Sequence, residues 1–165
     1  MLGGESLQEK CEIFSWEGDH ERKHYQAVAL SKWSRNDACV FSLPTDTRNV
    51  YVTVSNGDTT VIRRVLSALE EIEVQSTVKL GNVALLDSPE LRARKIVGVL
   101  LLPPHASNAL NHLPLQITIR DVVYRFMLVV FLTEREHDLW KTAGHNALMD
   151  FFSSSDKDLV AFGDP

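Results

Sequence analysis

Residues His20-Glu21-Arg22-Lys23-His24 satisfy H-E-x-x-H, the spacing by which a helix offers two imidazoles to one zinc ion. His20 and His24 would share a helical face as ligands, and Glu21 would polarise a bound water for hydrolysis. Three features weigh against that chemistry. Arg22 and Lys23 fill the two middle positions, where a buried catalytic helix wants uncharged side chains. The motif stands near the start of the chain, ahead of any sheet that could form a cleft. No third ligand follows at a short spacing. The competing reading is an exposed, charged helix face, and a zinc hydrolase built on His20, Glu21 and His24 is kept only as an alternative.

Other catalytic signatures are missing. The sequence holds no P-loop, no G-x-G-x-x-G and no G-x-S-x-G elbow. Cys11 and Cys39 could act as nucleophiles only beside a histidine base. His20 or His24 could supply one, but nothing in the spacing supports it, and the pair reads as two reduced thiols. His105, His112, His137 and His145 fall on loops and polar helix faces, where a solvated ring is the simpler reading. No catalytic residue, no metal and no cofactor is therefore assigned, and the chain is expected not to be an enzyme.

The elements that would position any site come from periodicity. Residues 1–38 read as an irregular, charged segment with a short helix from Asp19 to Ala29, Asp19 being its N-cap. Cys39 to Leu43 and Val50 to Val54 read as strands that could pair as a hairpin. Ser55-Asn56-Gly57-Asp58 is a turn, and Asp58 can cap the helix that follows. From about Thr59 to Glu73, the residues Val61, Ile62, Val65, Leu66, Leu69 and Ile72 fall on one helical face. Strands are expected over Val78–Leu85 and Ile96–Leu102, the second stopped by Pro103-Pro104. Leu115 to Ile119 alternates with period two, and Val122 to Phe131 is apolar enough for a central strand covered on both faces. Asp121 marks the turn between them.

Thr133-Glu134-Arg135-Glu136 forms a capping box. The helix it starts runs to about Thr142. Gly144 can end or bend it, and Ala147, Leu148, Phe151 and Phe152 give a second helical piece its apolar face. Trp140 reads as core. Trp16 and Trp33 lie outside these elements, and packing is favoured for them over a role as interface anchors. These pieces predict one α/β (α+β) domain. It has a mixed, largely antiparallel sheet of about five or six strands with packed helices, a body over 39–152 and a tail over 153–165.

Composition narrows the function classes. The chain has 165 residues, 44% of them hydrophobic and 24% charged, which is ordinary for a single globular domain. A net charge of −5 disfavours nucleic acid as a partner. The apolar run Phe126–Leu132 is far shorter than the ~20 residues a membrane span needs. Residues 1–10 carry no apolar run of a secretory leader, so a cytoplasmic location is expected.

Two acidic groups stand out. Glu134, Glu136 and Asp138 suit the positive start of their helix. Glu70, Glu71 and Glu73 sit at a helix C-terminus, where they oppose the dipole and repel one another. A local rule broken without compensation points to a functional site. The competing reading is an ordinary solvated helix end. Against it, Glu70, Glu71 and Glu73 are the partner-binding candidates, to which a basic protein, such as a toxin domain, would be steered.

The second half of the chain also carries a family likeness. Leu80-Gly81-Asn82-Val83 is followed by Val97-Gly98-Val99-Leu100-Leu101-Leu102-Pro103-Pro104. Phe126 to Glu136 and Gly144-His145-Asn146-Ala147-Leu148 come next. In order and spacing these resemble the suppressor-of-fused domain family over about residues 50–152, and most tightly over 79–152. One departure is Phe131, where the family usually has proline before the leucine of the helix start. The resemblance implies a binding fold with no established enzymatic activity or cofactor. Eukaryotic members are much longer and restrain a transcription factor. Short single-domain members look bacterial, and many are thought to be immunity proteins that neutralise a polymorphic toxin. The expected function is thus stoichiometric binding of a protein partner, with a chaperone-like adaptor for a secreted effector as the alternative.

Overall fold

The apolar run Met127–Leu132 is buried at every position because both faces of the sheet are covered there, whereas Val122–Phe126, expected to share that cover, alternate between half-buried and exposed. The structure, a computed structural model, describes residues 11–17, 24–34, 37–44, 46–55 and 59–160, with side chains from residue 39 on except at Ser55. Its elements are β1 (Cys11–Glu17), β2 (His24–Ser34), β3 (Asp37–Ser42), β4 (Asn49–Ser55), α1 (Thr59–Gln75) and β5 (Val83–Leu85). After them come α2 (Pro89–Ala93), β6 (Ile96–Leu102), β7 (Gln116–Ile119), β8 (Val122–Thr133) and α3 (Glu134–Ser154).

The strands form one mixed sheet in the order β1-β2-β3-β4-β8-β6-β5, with β7 paired to β8 off this path. Only β4 and β8 run parallel; every other pairing is antiparallel. Asn49 and Gln116 both pair with Arg125, so β4 and β7 take opposite edges of β8. Val52 and Leu102 both pair with Leu128, so β6 lies on the same edge as β7.

Alternation along β8 divides the core in two. Met127, Val129 and Phe131 pack with Ile62, Leu66 and Leu69 of α1, together with Leu91 of α2. Leu128, Val130 and Leu132 pack with Leu148 and Phe152 of α3. A period of two puts successive side chains on opposite faces, and a run apolar at every position is what two helical layers require. Trp140 is half-buried against the α3 side of this core.

The N-terminal segment departs from its expected form. Its residues supply β1, β2 and the start of β3, which raises the sheet to eight strands. The helix expected over Asp19–Ala29 is not formed in its second half: His24–Ala29 open β2, which pairs with β1 on one edge and β3 on the other. Ala27, Ala29 and Leu30 are good helix formers, but backbone pairing on both edges outweighs propensity differences of a few tenths of a kcal/mol. Residues 18–23, with His20 and Glu21, and the expected cap Asp58 lie outside the described residues. The strand expected over Val78–Leu85 shortens to Val83–Leu85.

Thr133 caps α3 as expected. Its hydroxyl accepts from the Glu136 N–H at 3.4 Å, and the Glu136 carboxylate accepts from the Thr133 N–H at 2.8 Å. Gly144 kinks α3, with φ at 88°. The expected tail begins late: α3 runs to Ser154, and Lys157 docks back on the domain. Its ammonium donates to the Phe131 carbonyl at 2.9 Å and to the buried Glu136 carboxylate at 2.6 Å. Thr133→Ala should cost about 1 kcal/mol by removing the cap, read as a shift in the urea midpoint. An unchanged midpoint would contradict it.

Gly98 marks a close approach of two strands. A side-chain methyl there would sit well inside contact distance of the Ala84 carbonyl oxygen in β5, and 3.2 Å from the Leu85 Cα. Both are backbone atoms, so neither can rotate away. Gly98→Ala is expected to cost about 1–3 kcal/mol through overpacking and displacement of β5. A melting temperature equal to that of the parent would show that β5 yields freely.

Candidate functional site

The acidic residues singled out from sequence do not form an exposed cluster. Glu70 is buried, 3% exposed, and its Oε1 has no hydrogen-bond partner. Its carboxyl is pushed up to about 8, by burial first and by the nearby Glu73 charge, against a hydrogen bond with Ser42 that lowers it. Glu73 turns toward β4. Its Oε1 accepts from the Arg48 and Asn49 N–H groups at 3.0 and 3.2 Å, and its Oε2 accepts from the Tyr51 hydroxyl at 2.8 Å. Glu71, between them, is half-buried. The compensation that the helix end seemed to lack is thus supplied by the first residues of β4. With Glu70 buried and Glu73 turned inward, this helix end presents no exposed trio of carboxylates to a basic partner.

The zinc motif loses its geometry as well. His24 is the first residue of β2 and pairs with Glu17, so it has no i, i+4 helical relation to share with His20. Among the described residues no group of three or more His, Cys, Asp or Glu is placed to hold a metal. Cys39 is buried and its thiol is pushed up to about 12 by that burial, which makes it a poor nucleophile. The His137 ring stacks on Trp140 at 6.1 Å, and His145 is half-buried beside the kink of α3. For Trp16 and Trp33, in β1 and β2, only the backbone is described.

A different surface stands out. The α3 side of the sheet is covered over Val52, Leu128, Val130 and Leu132. The same face continues down β8 through Phe126 and Tyr124, down β4 to Val50 and across to Phe41 of β3, where α3 no longer reaches. There it forms an open groove of about 350 Å³ lined by Phe41, Val50, Ile117, Ile119, Tyr124 and Phe126. The β7–β8 hairpin supplies one wall. Its two turn residues, Arg120 and Asp121, both take positive φ (49° and 65°), as a tight hairpin turn requires. Leu115 and Ile119, on that hairpin, are 52% and 51% exposed. Ile119 lines the groove, and an exposed apolar side chain in an apolar concavity is what an interaction surface looks like.

The groove ends at a charged rim. The Arg48 guanidinium lies 5.9 Å from the Tyr124 ring centroid and donates to the Thr47 carbonyl. Beyond Arg48 the surface enters a polar pocket of about 430 Å³ at the end of α1, lined by Arg48, Asn49, Glu73, Gln75, Ser76 and Arg125. Sequence reasoning named the apolar alternation of Leu115, Ile117 and Ile119 but missed the groove. That α3 stops short of this half of the sheet is not written in any local pattern.

A crystal structure from Neisseria gonorrhoeae FA 1090, provisionally described as a SUFU (suppressor of fused protein) homolog, superimposes on this chain with a TM-score of 0.73. The two are 13% identical, and the match covers 96% of this chain and 87% of that one. No family model matches the sequence, and no curated protein matches it. At that identity the likeness establishes a shared fold. At 96% coverage it extends beyond residues 50–152, where the sequence resemblance lies.

Proposed function

We propose, from the premise that this chain carries the suppressor-of-fused fold, that it is a non-catalytic protein-binding domain. It would act in the cytoplasm as an immunity protein that neutralises a toxin by covering the toxin's working surface. The observation that carries this reading is the open apolar groove between the β7–β8 hairpin and β3. A folded domain gains nothing from leaving the groove's Ile119 in water, unless a partner covers it. The short bacterial members of the family that the sequence resembles point the same way.

Co-expression with the product of the neighbouring gene tests the proposal. The expected result is a one-to-one complex on gel filtration and rescue of cell growth by the intact chain. Ile119→Asp, at a side chain that is half exposed, should leave folding intact and abolish both. A complex that forms as well with Ile119→Asp would remove the groove from the account. A neighbour that is not toxic but depends on this chain for solubility would favour the adaptor reading.

A further inference from the structure

We propose that the groove and the rim pocket together take one partner segment, in which large apolar side chains stand next to carboxylates. The inference rests on the binding reading above and adds the chemistry of the partner. The groove supplies the apolar half: Tyr124 and Phe126 form its floor and Ile117 and Ile119 a wall, and no carboxylate lines it. The rim supplies the charge. Arg48 and Arg125 line the polar pocket against one carboxylate, Glu73, which leaves the pocket at +2 − 1 = +1 in a chain of net charge −5.

That one carboxylate is already engaged by the Arg48 and Asn49 N–H groups and the Tyr51 hydroxyl. It makes no ion pair with either guanidinium; among the described residues, no carboxylate pairs with Arg48 or Arg125. Both arginines are exposed. The guanidinium fork recognises carboxylates in a bidentate way, and Arg48 is already held in place by its stack on Tyr124 and its bond to Thr47. Because Arg48 touches the groove's Tyr124 and lines the pocket, a segment seated with its apolar residues in the groove brings its neighbouring residues onto the arginines.

Selection of short random peptides by phage display on the intact chain tests this. The parent chain is expected to enrich peptides that combine Leu, Phe or Trp with Asp or Glu. The double variant Arg48→Glu/Arg125→Glu should shift the preference to Lys and Arg. For a representative synthetic peptide from the parent pool, it should weaken binding by about tenfold or more. Arg120→Glu, in the hairpin turn outside both pockets, should leave the pool unchanged, and native melting curves confirm that each variant is folded. Apolar pools without acidic preference, lost with Ile119→Asp but kept by the double variant, overturn the charge assignment while the groove survives as a docking surface. Pools indifferent to Ile119→Asp, or no enrichment at all, overturn both.

Discussion

Glu73→Ala is expected to lower the stability of the folded chain by about 2–4 kcal/mol, one of the largest losses for any side chain outside the apolar core. The variant strips the partner from the Tyr51 hydroxyl, which belongs to a fully buried residue, and from the N–H groups of Arg48 and Asn49. An unmet buried donor costs more than the bond it loses is worth. Tyr51 cannot escape by ionising, since its burial, the largest cause, pushes its pKa up with or without Glu73. Glu73→Gln keeps one acceptor oxygen and an amide that can donate to Tyr51, so its loss should be about half as large. Urea titrations of both variants check the ranking. A Glu73→Ala midpoint within error of the parent would mean that the β4 start holds without this clamp.

The second large effect is a pH dependence centred on Glu70. Its carboxyl rises from an ordinary 4.5 to about 8 in the folded chain. The sign follows from linkage. The folded state favours the protonated form, so this contribution is fully present below pH 4.5. It is lost progressively as pH rises to about 8, and it is constant above that. The total is on the order of a few kcal/mol. Glu70→Gln removes the titrating group. The variant should therefore be more stable than the parent near pH 8.5, by about 2–4 kcal/mol or roughly 5–12 °C in melting temperature. Near pH 5 the two should be close, with the glutamine amide bearing a modest cost for the unpartnered position that the Glu70 Oε1 now holds. Parallel stability curves for parent and variant from pH 5 to 9 would show that Glu70 is already ionised in the fold.

Both residues show where the sequence could be read and where it was misread. Val61, Ile62, Val65, Leu66 and Leu69 are buried as their spacing requires. The same spacing places Glu70 four residues after Leu66 and Glu73 four after Leu69. The stripe that buries leucines therefore also carries these two acids inward. Position on the helical stripe, and not charge type, decides exposure here. The capping box at Thr133, the turn before Val122 and the break at Gly144 were legible because each depends on a few adjacent residues.

The first two strands were not legible for the opposite reason. β2 is fixed by neighbours on both edges, one of them β3, and pairing of that kind leaves only weak marks in local composition. The groove was hidden one level further on. It exists because α3 covers the upper part of a face whose strands run on below it, and that relation is set by helix placement rather than by any motif.

Hydrogen exchange of the chain, free and bound to the product of the neighbouring gene, tests the central claim most directly. Slowed exchange concentrated in residues 41–44 and 115–126 is the predicted result, because those segments line the groove. Slowed exchange confined to α1 or β5, with the hairpin unchanged, would contradict it.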